Sequence, residues 1–133
     1  MGLMDGIKVV ELGAWVAGPA AGGILADWGA DVIKVEDLNG DPFRGALGGL
    51  ADLSAPFDLD NRGKRSLAID WRSDEGSEIV RRLADQADVA CRRVGHTIQI
   101  VGAHVCRHSL QDVLHILCCN RPTEQGQKST EQP

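Results

Sequence analysis

Residues 7–36 read IKVVELGAWVAGPAAGGILADWGADVIKVE, and this stretch decides the fold. Its first six residues are half β-branched and are followed by a glycine, which is typical of a buried strand in a parallel sheet. A loop over residues 13–18 follows, and Pro19 suits the first helical position because its missing N–H would have no partner there. A helix ending near Trp28 and a second strand over 32–36 complete a βαβ unit.

The first turns of that helix consist of small residues, including Gly22 and Gly23. Each glycine weakens a helix by about 1 kcal/mol relative to alanine. Their presence therefore predicts a close approach by something else, which could be a neighbouring strand, a second subunit or a ligand.

The pattern continues less strongly beyond the βαβ unit. Residues 37–56 show no sustained periodicity and predict a long loop, whereas 66–70 predict a third strand. Ser73 is a good N-cap for a helix whose apolar face extends to Ala87, and 87–90 read as half of a fourth strand. The expected fold class is α/β: a Rossmann-like parallel βαβ segment followed by an irregular C-terminal tail.

Composition changes abruptly near residue 90. All cysteines and histidines follow that point, and all tryptophans, phenylalanines and methionines precede it. Residues 1–90 carry 9 Lys and Arg against 16 Asp and Glu, whereas 91–133 carry 5 against 3. We expect a domain segment over 1–90 and a divergent tail over 91–133, disordered from 123 onward. A shifted reading frame is the favoured explanation of the tail, and a genuine extension is the alternative.

Several classes of function are not supported by the sequence. The net charge of −5 gives no indication of a nucleic-acid partner, and no apolar run reaches the roughly 18 residues of a membrane span. The N-terminus lacks the pattern of a signal peptide, so we expect a cytoplasmic protein. The tail histidines and cysteines lack metal-site spacing, and neither a metal site nor a disulfide framework is expected.

The glycine-bounded loop over 13–18 is the first candidate site. It lies at the carboxyl end of a strand and opens a helix, where phosphates bind, although a tight turn needing small residues explains it equally well. Glu36 stands where a dinucleotide fold places its ribose-binding acid. However, the spacing is neither the Gly-x-Gly-x-x-Gly pattern nor a P-loop, so a nicotinamide cofactor is only weakly supported.

A run of cations is the second candidate. Residues 61–65 read NRGKR, and Arg44 adds a further cation on the long loop. Within an acidic segment this run favours a phosphorylated ligand, whereas a solvated turn is the ordinary alternative.

Five motifs follow one another in an order that resembles one known family. The series resembles the N-terminus of family III CoA-transferases, the carnitine dehydratase and bile-acid-inducible type, which includes formyl-CoA transferase and α-methylacyl-CoA racemase. The resemblance covers roughly residues 3–89. The motifs are GIKVVEL (6–12), AGP (17–19), LADWGADVIKVE (25–36), GDPFR (40–44) and NRGKRSL (61–67).

The resemblance implies an activity and a set of contacts. Family members transfer CoA between an acyl-CoA and a carboxylic acid through a catalytic aspartate, which forms covalent intermediates. They form interlocked homodimers, and coenzyme A is a substrate, with no separate cofactor. By position, the loop at the CoA thiol end corresponds to Trp15, Val16 and Ala17. The adenine and phosphate end corresponds to Lys64 and Arg65, with Asn61 and Arg44 as weaker candidates.

Departures from the family limit these expectations. Val16 stands where formyl-CoA transferase has glutamine, and Asp37 stands where the family has an arginine. The resemblance ends near Ala90, and the family's catalytic aspartate lies beyond this chain. We therefore expect the chain to be inactive alone. One alternative is a stand-alone module that binds CoA or a dinucleotide, and another is a truncated product with unpaired strand edges. The acyl groups, and the choice between transferase and racemase, stay open.

Overall fold

A computed structural model of the chain describes residues 1–45, 54–94 and 97–102, the last eight of them (93–94 and 97–102) by their backbone only. The described strands are β1 (Lys8–Leu12), β2 (Asp31–Glu36), β3 (Arg65–Ala68), β4 (Val89–Val94) and β5 (Thr97–Gly102). The described helices are α1 (Ala17–Asp27), α2 (Ala55–Asn61) and α3 (Asp74–Gln86), and a 3₁₀ turn covers Pro42–Arg44.

The strands form one sheet in the order β3-β2-β1-β4-β5. β1 pairs in parallel with β2 and β4, and β2 pairs in parallel with β3. β5 is antiparallel to β4. The predicted α/β class and the parallel βαβ unit are confirmed.

Successive side chains of each strand point to opposite faces of the sheet, so apolar side chains form a core on each face. On the face toward α1, Val9 and Val32 pack with partly buried Leu25 of the helix. On the opposite face, Val10 and Val35 pack against Val80 of α3. The central strand β1 therefore contributes side chains to both layers.

The starts of two helices were predicted from the sequence. The Ser73 hydroxyl accepts a hydrogen bond from the Gly76 amide at 3.0 Å, which confirms the predicted cap of α3. Helix α1 begins at Ala17, two residues before the expected start at Pro19. The earlier start is tolerated because the first amides of any helix lack intrahelical partners, so a proline in the first turn removes no bond.

Some elements were not predicted. Helix α2 lies within the stretch expected to be a loop, and its seven residues are too few to show a periodic pattern. Residues 46–53 of that loop lie outside the described residues. Strand β4 runs past position 90, and β5 follows it within the segment expected to be irregular. The proposed boundary at 90 stays a prediction. Among the described helices, none is long and apolar enough to cross a membrane.

The packing of α3 against the sheet can be tested by substituting two adjacent residues of the helix, one buried and one exposed. Val80 is 2% exposed and Ile79 is 42% exposed. We expect Val80→Ala to lower the free energy of unfolding by about 2 kcal/mol, because it removes packed methyl groups and leaves a cavity. Ile79→Ala should change it by no more than about 0.5 kcal/mol. Urea unfolding measures both, and equal losses would contradict the described packing.

Candidate functional site

The loop between β1 and α1 presents exposed apolar side chains at the carboxyl edge of the sheet. Trp15 is 46% exposed and Val16 is 49% exposed, and Ala17 begins α1 with its side chain also exposed. The Trp15 backbone has φ of 68°, a left-handed conformation that is uncommon for a bulky residue. Such a conformation persists only where its surroundings hold it.

The segment after β2 supplies those surroundings. The Trp15 amide donates a hydrogen bond to Asp41 Oδ1 at 3.2 Å, and the Phe43 amide donates to the same oxygen at 2.9 Å. The rings of Trp15 and Phe43 lie 6.1 Å apart between centroids. The structure therefore brings the glycine-bounded loop against the GDPFR motif, 26 residues away in sequence.

A buried cluster of four charged side chains lies beneath this loop; we call Glu11, Lys34, Asp41 and Lys64 the charge cluster. Lys34 Nζ lies 3.0 Å from Glu11 Oε1 and 2.9 Å from Asp41 Oδ2. Lys64 Nζ lies 2.8 Å from Glu11 Oε2. Every side chain in the cluster is 2% exposed or less. Two ammonium groups thus balance two carboxylates.

The two lysines also hold backbone carbonyl oxygens. Lys34 Nζ donates to Gly13 O at 2.8 Å, and Lys64 Nζ donates to Pro19 O at 2.7 Å and to Asn61 Oδ1 at 2.9 Å. Burial lowers the pKa of the Lys64 ammonium, and the adjacent Glu11 carboxylate opposes that shift. With the bond to Glu11 Oε2 included, Lys64 donates three hydrogen bonds, which is the full capacity of its ammonium. Lys34 donates two, to Glu11 Oε1 and Gly13 O, and forms an ion pair with Asp41.

The close packing around Gly22 explains why α1 has a small residue at this position. A Cβ atom at this position would collide with Glu11 Oε2 and would lie 3.2 Å from Lys64 Cε. Gly23 has a different reason, since a Cβ there would lie 2.8 Å from the Asp60 carbonyl oxygen of α2. The sequence left open whether a neighbouring strand, a second subunit or a ligand approaches these small residues. The structure shows that other elements of the same chain pack against them.

A second polar cluster surrounds Glu36. Its carboxylate accepts bonds from Arg44 Nη2 at 2.8 Å, Ser66 Oγ at 2.8 Å and the Asp41 amide at 2.8 Å. Burial alone would raise the pKa of Glu36, but the bonds from Arg44, Ser66 and the Asp41 amide lower it to about 2. The Arg44 guanidinium also lies 3.9 Å from the centre of the Phe57 ring. With its oxygens engaged inside the chain, Glu36 offers no free acceptor for a ribose.

The part of the chain that the structure describes gives little support for a metal site or a reactive cysteine. Within it, no group of three or more His, Cys, Asp or Glu side chains could hold a metal ion. Burial and the nearby Glu11 raise the pKa of the Cys91 thiol to about 11, so Cys91 is protonated at neutral pH. The tail residues considered for a metal, which are His104, Cys106, His108, Cys118 and Cys119, lie outside the described residues.

Comparison with known proteins decides the family. A profile of CoA-transferase family III matches residues 4–95. The chain belongs to CoA-transferase family III. It is 40% identical over 93 residues to (R)-2-hydroxy-4-methylpentanoate CoA-transferase of Clostridioides difficile, covering 65% of this chain and 23% of the relative. It is 45% identical over 94 residues to succinate–glutarate CoA-transferase of Agrobacterium fabrum, covering 65% and 24%.

Solved structures of family III proteins agree with the fold. A CAIB/BAIF family protein from Brucella suis matches with a TM-score of 0.62 and 47% identity, covering 67% of this chain and 25% of that one. Rv3272 from Mycobacterium tuberculosis matches with a TM-score of 0.60 and 39% identity, covering 68% and 25%. The chain thus spans about a quarter of the length of these relatives.

The residues that family III resemblance singled out are not gathered in one place. Trp15, Val16 and Ala17 lie together on the loop, and the Trp15 ring contacts Phe43, which precedes Arg44 in sequence. Arg65 is at the other end of the sheet, where Nε and Nη2 bind Asp31 at 2.9 and 2.6 Å. It borders a shallow cavity of about 250 Å³ on the α3 face, away from the loop.

The other two singled-out residues belong to the interior. Lys64 is in the charge cluster, and Asn61 accepts from Lys64 while donating to Phe57 O at 2.9 Å. Phosphate contacts by Lys64, Asn61, Arg65 and Arg44 stay predictions. Arg44 and Arg65 have accessible charged groups, since their side chains are 48% and 63% exposed.

Sequence reasoning missed the charge cluster. Glu11 and Lys34 each place a charge on the buried face of a strand, turned toward α1, and that placement was the available signal. Buried charges are rare unless paired, so one such residue in each of two adjacent parallel strands could have predicted an ion pair.

The contact between Gly22 and Glu11 predicts a costly substitution. We expect Gly22→Ala to destabilise the chain by about 1–3 kcal/mol, because the methyl group displaces a buried carboxylate from two lysines. Gly45→Ala is the matched control, since its Cβ would meet nothing within 4 Å and its φ is −104°. Its effect should stay within about 0.5 kcal/mol in urea unfolding. A neutral Gly22→Ala would show that the cluster is not packed as described.

The lowered pKa of Glu36 predicts a pH dependence. Because its folded pKa of about 2 lies below the ordinary 4.5, its stabilising effect is present above pH 4.5 and is lost as pH falls toward 2. Arg44→Met should remove much of this dependence. The difference in unfolding free energy between wild type and Arg44→Met should therefore shrink from pH 6 to pH 2.

The control for this titration is Arg82→Met, which removes an exposed cation from α3. Its difference from wild type should change little over the same range in urea unfolding at each pH. A constant gap for Arg44→Met as well would contradict the role of Arg44 in holding the pKa of Glu36 down.

Proposed function

We propose that this chain is the part of an acyl-CoA:carboxylate CoA-transferase that receives the thiol end of coenzyme A. The observation that carries the proposal is the exposed apolar loop of Trp15, Val16 and Ala17 at the carboxyl edge of β1. Ligands of open α/β sheets bind at that edge, and the first amides of α1 face it. Relatives that match this same segment are named as CoA-transferases of several carboxylic acids.

The loop suits the uncharged arm of coenzyme A better than its phosphates. Trp15 and Val16 offer apolar surface, and the cations of the charge cluster beneath them are buried and already paired. For the phosphates, we propose the accessible guanidinium groups of Arg44 and Arg65, whose present partners are Glu36 and Asp31. Lys64 and Asn61 could serve only after giving up bonds within the chain.

Acyl transfer needs a nucleophile that the resemblance does not place among these residues. A carboxylate nucleophile would split the exchange into two acyl-transfer steps. We therefore propose that residues 1–133 alone bind CoA without turnover. The acyl-CoA and carboxylate substrates and the interlocked homodimer likewise belong to the proposal for a complete family member. Val16, which replaces the glutamine of formyl-CoA transferase, disfavours formyl or oxalyl groups.

Two equally exposed tryptophans allow a matched test. Trp15 is 46% exposed on the loop, and Trp28 is 48% exposed at the far end of α1. In calorimetric titration, we expect wild type to bind CoA and Trp15→Ala to bind about tenfold more weakly, a loss of about 1.4 kcal/mol. Trp28→Ala should bind like wild type.

Titration with NAD separates this proposal from a stand-alone dinucleotide-binding module. We expect no NAD binding, because the oxygens of Glu36 are engaged by Arg44, Ser66 and Asp41. NAD binding tighter than CoA binding would favour the module. No CoA binding by folded wild type, or equal losses in the two tryptophan variants, would contradict the proposed role of the loop.

A further inference from the structure

The charge cluster contacts the backbone of residues 13–19 at three separate atoms. Lys34 Nζ donates to Gly13 O at 2.8 Å, Asp41 Oδ1 accepts from Trp15 N at 3.2 Å, and Lys64 Nζ donates to Pro19 O at 2.7 Å. The three contacts fall at the start, middle and end of the same segment. Glu11 joins the two lysines from below.

This arrangement does more than fill the interior. Buried ion pairs are a weak source of stability, and apolar side chains of similar volume often stabilise a core as well or better. What apolar side chains cannot provide is a directed bond to a carbonyl oxygen or an amide. Three of the cluster's four described bonds to main-chain atoms end on the one segment that carries the exposed Trp15 and Val16, and the fourth is accepted by Asp41 from the Phe43 amide.

Asp41 holds the part of the segment that most needs support. Trp15 adopts a left-handed backbone at φ 68°, which is unfavourable for a side chain of its size. The Asp41 side chain is 1% exposed, and its own amide donates to Glu36 Oε2 at 2.8 Å. Glu36 therefore holds the Asp41 backbone in place, and the Lys34 ammonium lies against the Asp41 carboxylate.

We propose that Asp41 is a positioning residue that, with Lys34 and Lys64, holds residues 13–19 in a preformed shape for the ligand. Within the GDPFR motif, only Arg44 is among the proposed contacts with coenzyme A. The positioning role gives a function to Asp41 of the same motif. The identity of the ligand rests on the proposed function, whereas the hold on the segment does not. A preformed segment binds more tightly, because the fraction of molecules in the competent conformation multiplies the affinity.

Amide hydrogen exchange of the purified chain tests the positioning role without a ligand. In Asp41→Ala, we expect the Trp15 amide to exchange about tenfold faster or more, because its acceptor is gone. The amides of Val10 and Val35, in the middle of the sheet, should keep their wild-type rates. Acceleration of all three by one factor would show a general loss of stability instead, and no acceleration at Trp15 would also overturn the proposal.

Asp41→Asn keeps the proposal testable if Asp41→Ala does not fold. Asparagine retains an acceptor oxygen for the two amides but loses the charge facing Lys34. We expect a smaller acceleration that is still confined to the loop, and equal rates at Trp15 in this variant and wild type would overturn the proposal. Asp37→Asn, a matched change on the same loop whose carboxylate binds Arg72, should leave Trp15 unchanged.

Titration with CoA then separates the two proposals. If wild type binds CoA, Asp41→Ala should weaken binding by about the factor by which it lowers the fraction of molecules whose residues 13–19 have the competent conformation. If the Trp15 amide exchanges faster in Asp41→Ala but the affinity for CoA is unchanged, the positioning role is overturned. If wild type does not bind CoA, the proposed function fails, and the exchange rates alone decide whether Asp41 holds the loop.

Discussion

The Glu11 carboxylate between two lysine ammonium groups is the constraint on which the rest of the structure depends. Glu11 lies fully buried on the central strand β1, and an unpaired carboxylate there would cost several kcal/mol. Lys34 comes from the next strand, and Lys64 comes from the residue just before β3. One buried charge thus requires three neighbouring strands to be in register, and it excludes a side chain at Gly22.

The same constraint connects the interior to the exposed loop. Each lysine that neutralises Glu11 also donates to one backbone oxygen of the loop, Lys34 to that of residue 13 and Lys64 to that of residue 19. Because these bonds end on main-chain atoms, the side chain at position 16 can change without breaking any of them. The shape of the loop and the chemistry of its exposed surface are therefore set by different residues.

Local features of this fold could be predicted from sequence, and pairwise ones could not. Strands β1 and β2, the Ser73 cap and the loop over 13–18 each depend on a short run of residues. Helix α2 was missed because seven residues with one buried side chain, Phe57, give no period. The charge cluster was missed because its bonds join residues 23 and 53 positions apart. An inward charge on a strand signals that a partner is needed, but it does not say which distant residue that partner is.

The run of residues 61–65 shows why sequence proximity of like charges does not make a binding patch. Its three cations diverge: Arg62 Nε binds Asp27 at 3.0 Å, Lys64 enters the interior, and Arg65 turns to Asp31 on the opposite face. The segment leads into a strand, where successive side chains alternate between faces. For Lys64, a phosphate would compete directly with the Glu11 carboxylate. Any ligand that withdrew this ammonium would leave a buried charge half-neutralised, so binding there and folding would oppose one another.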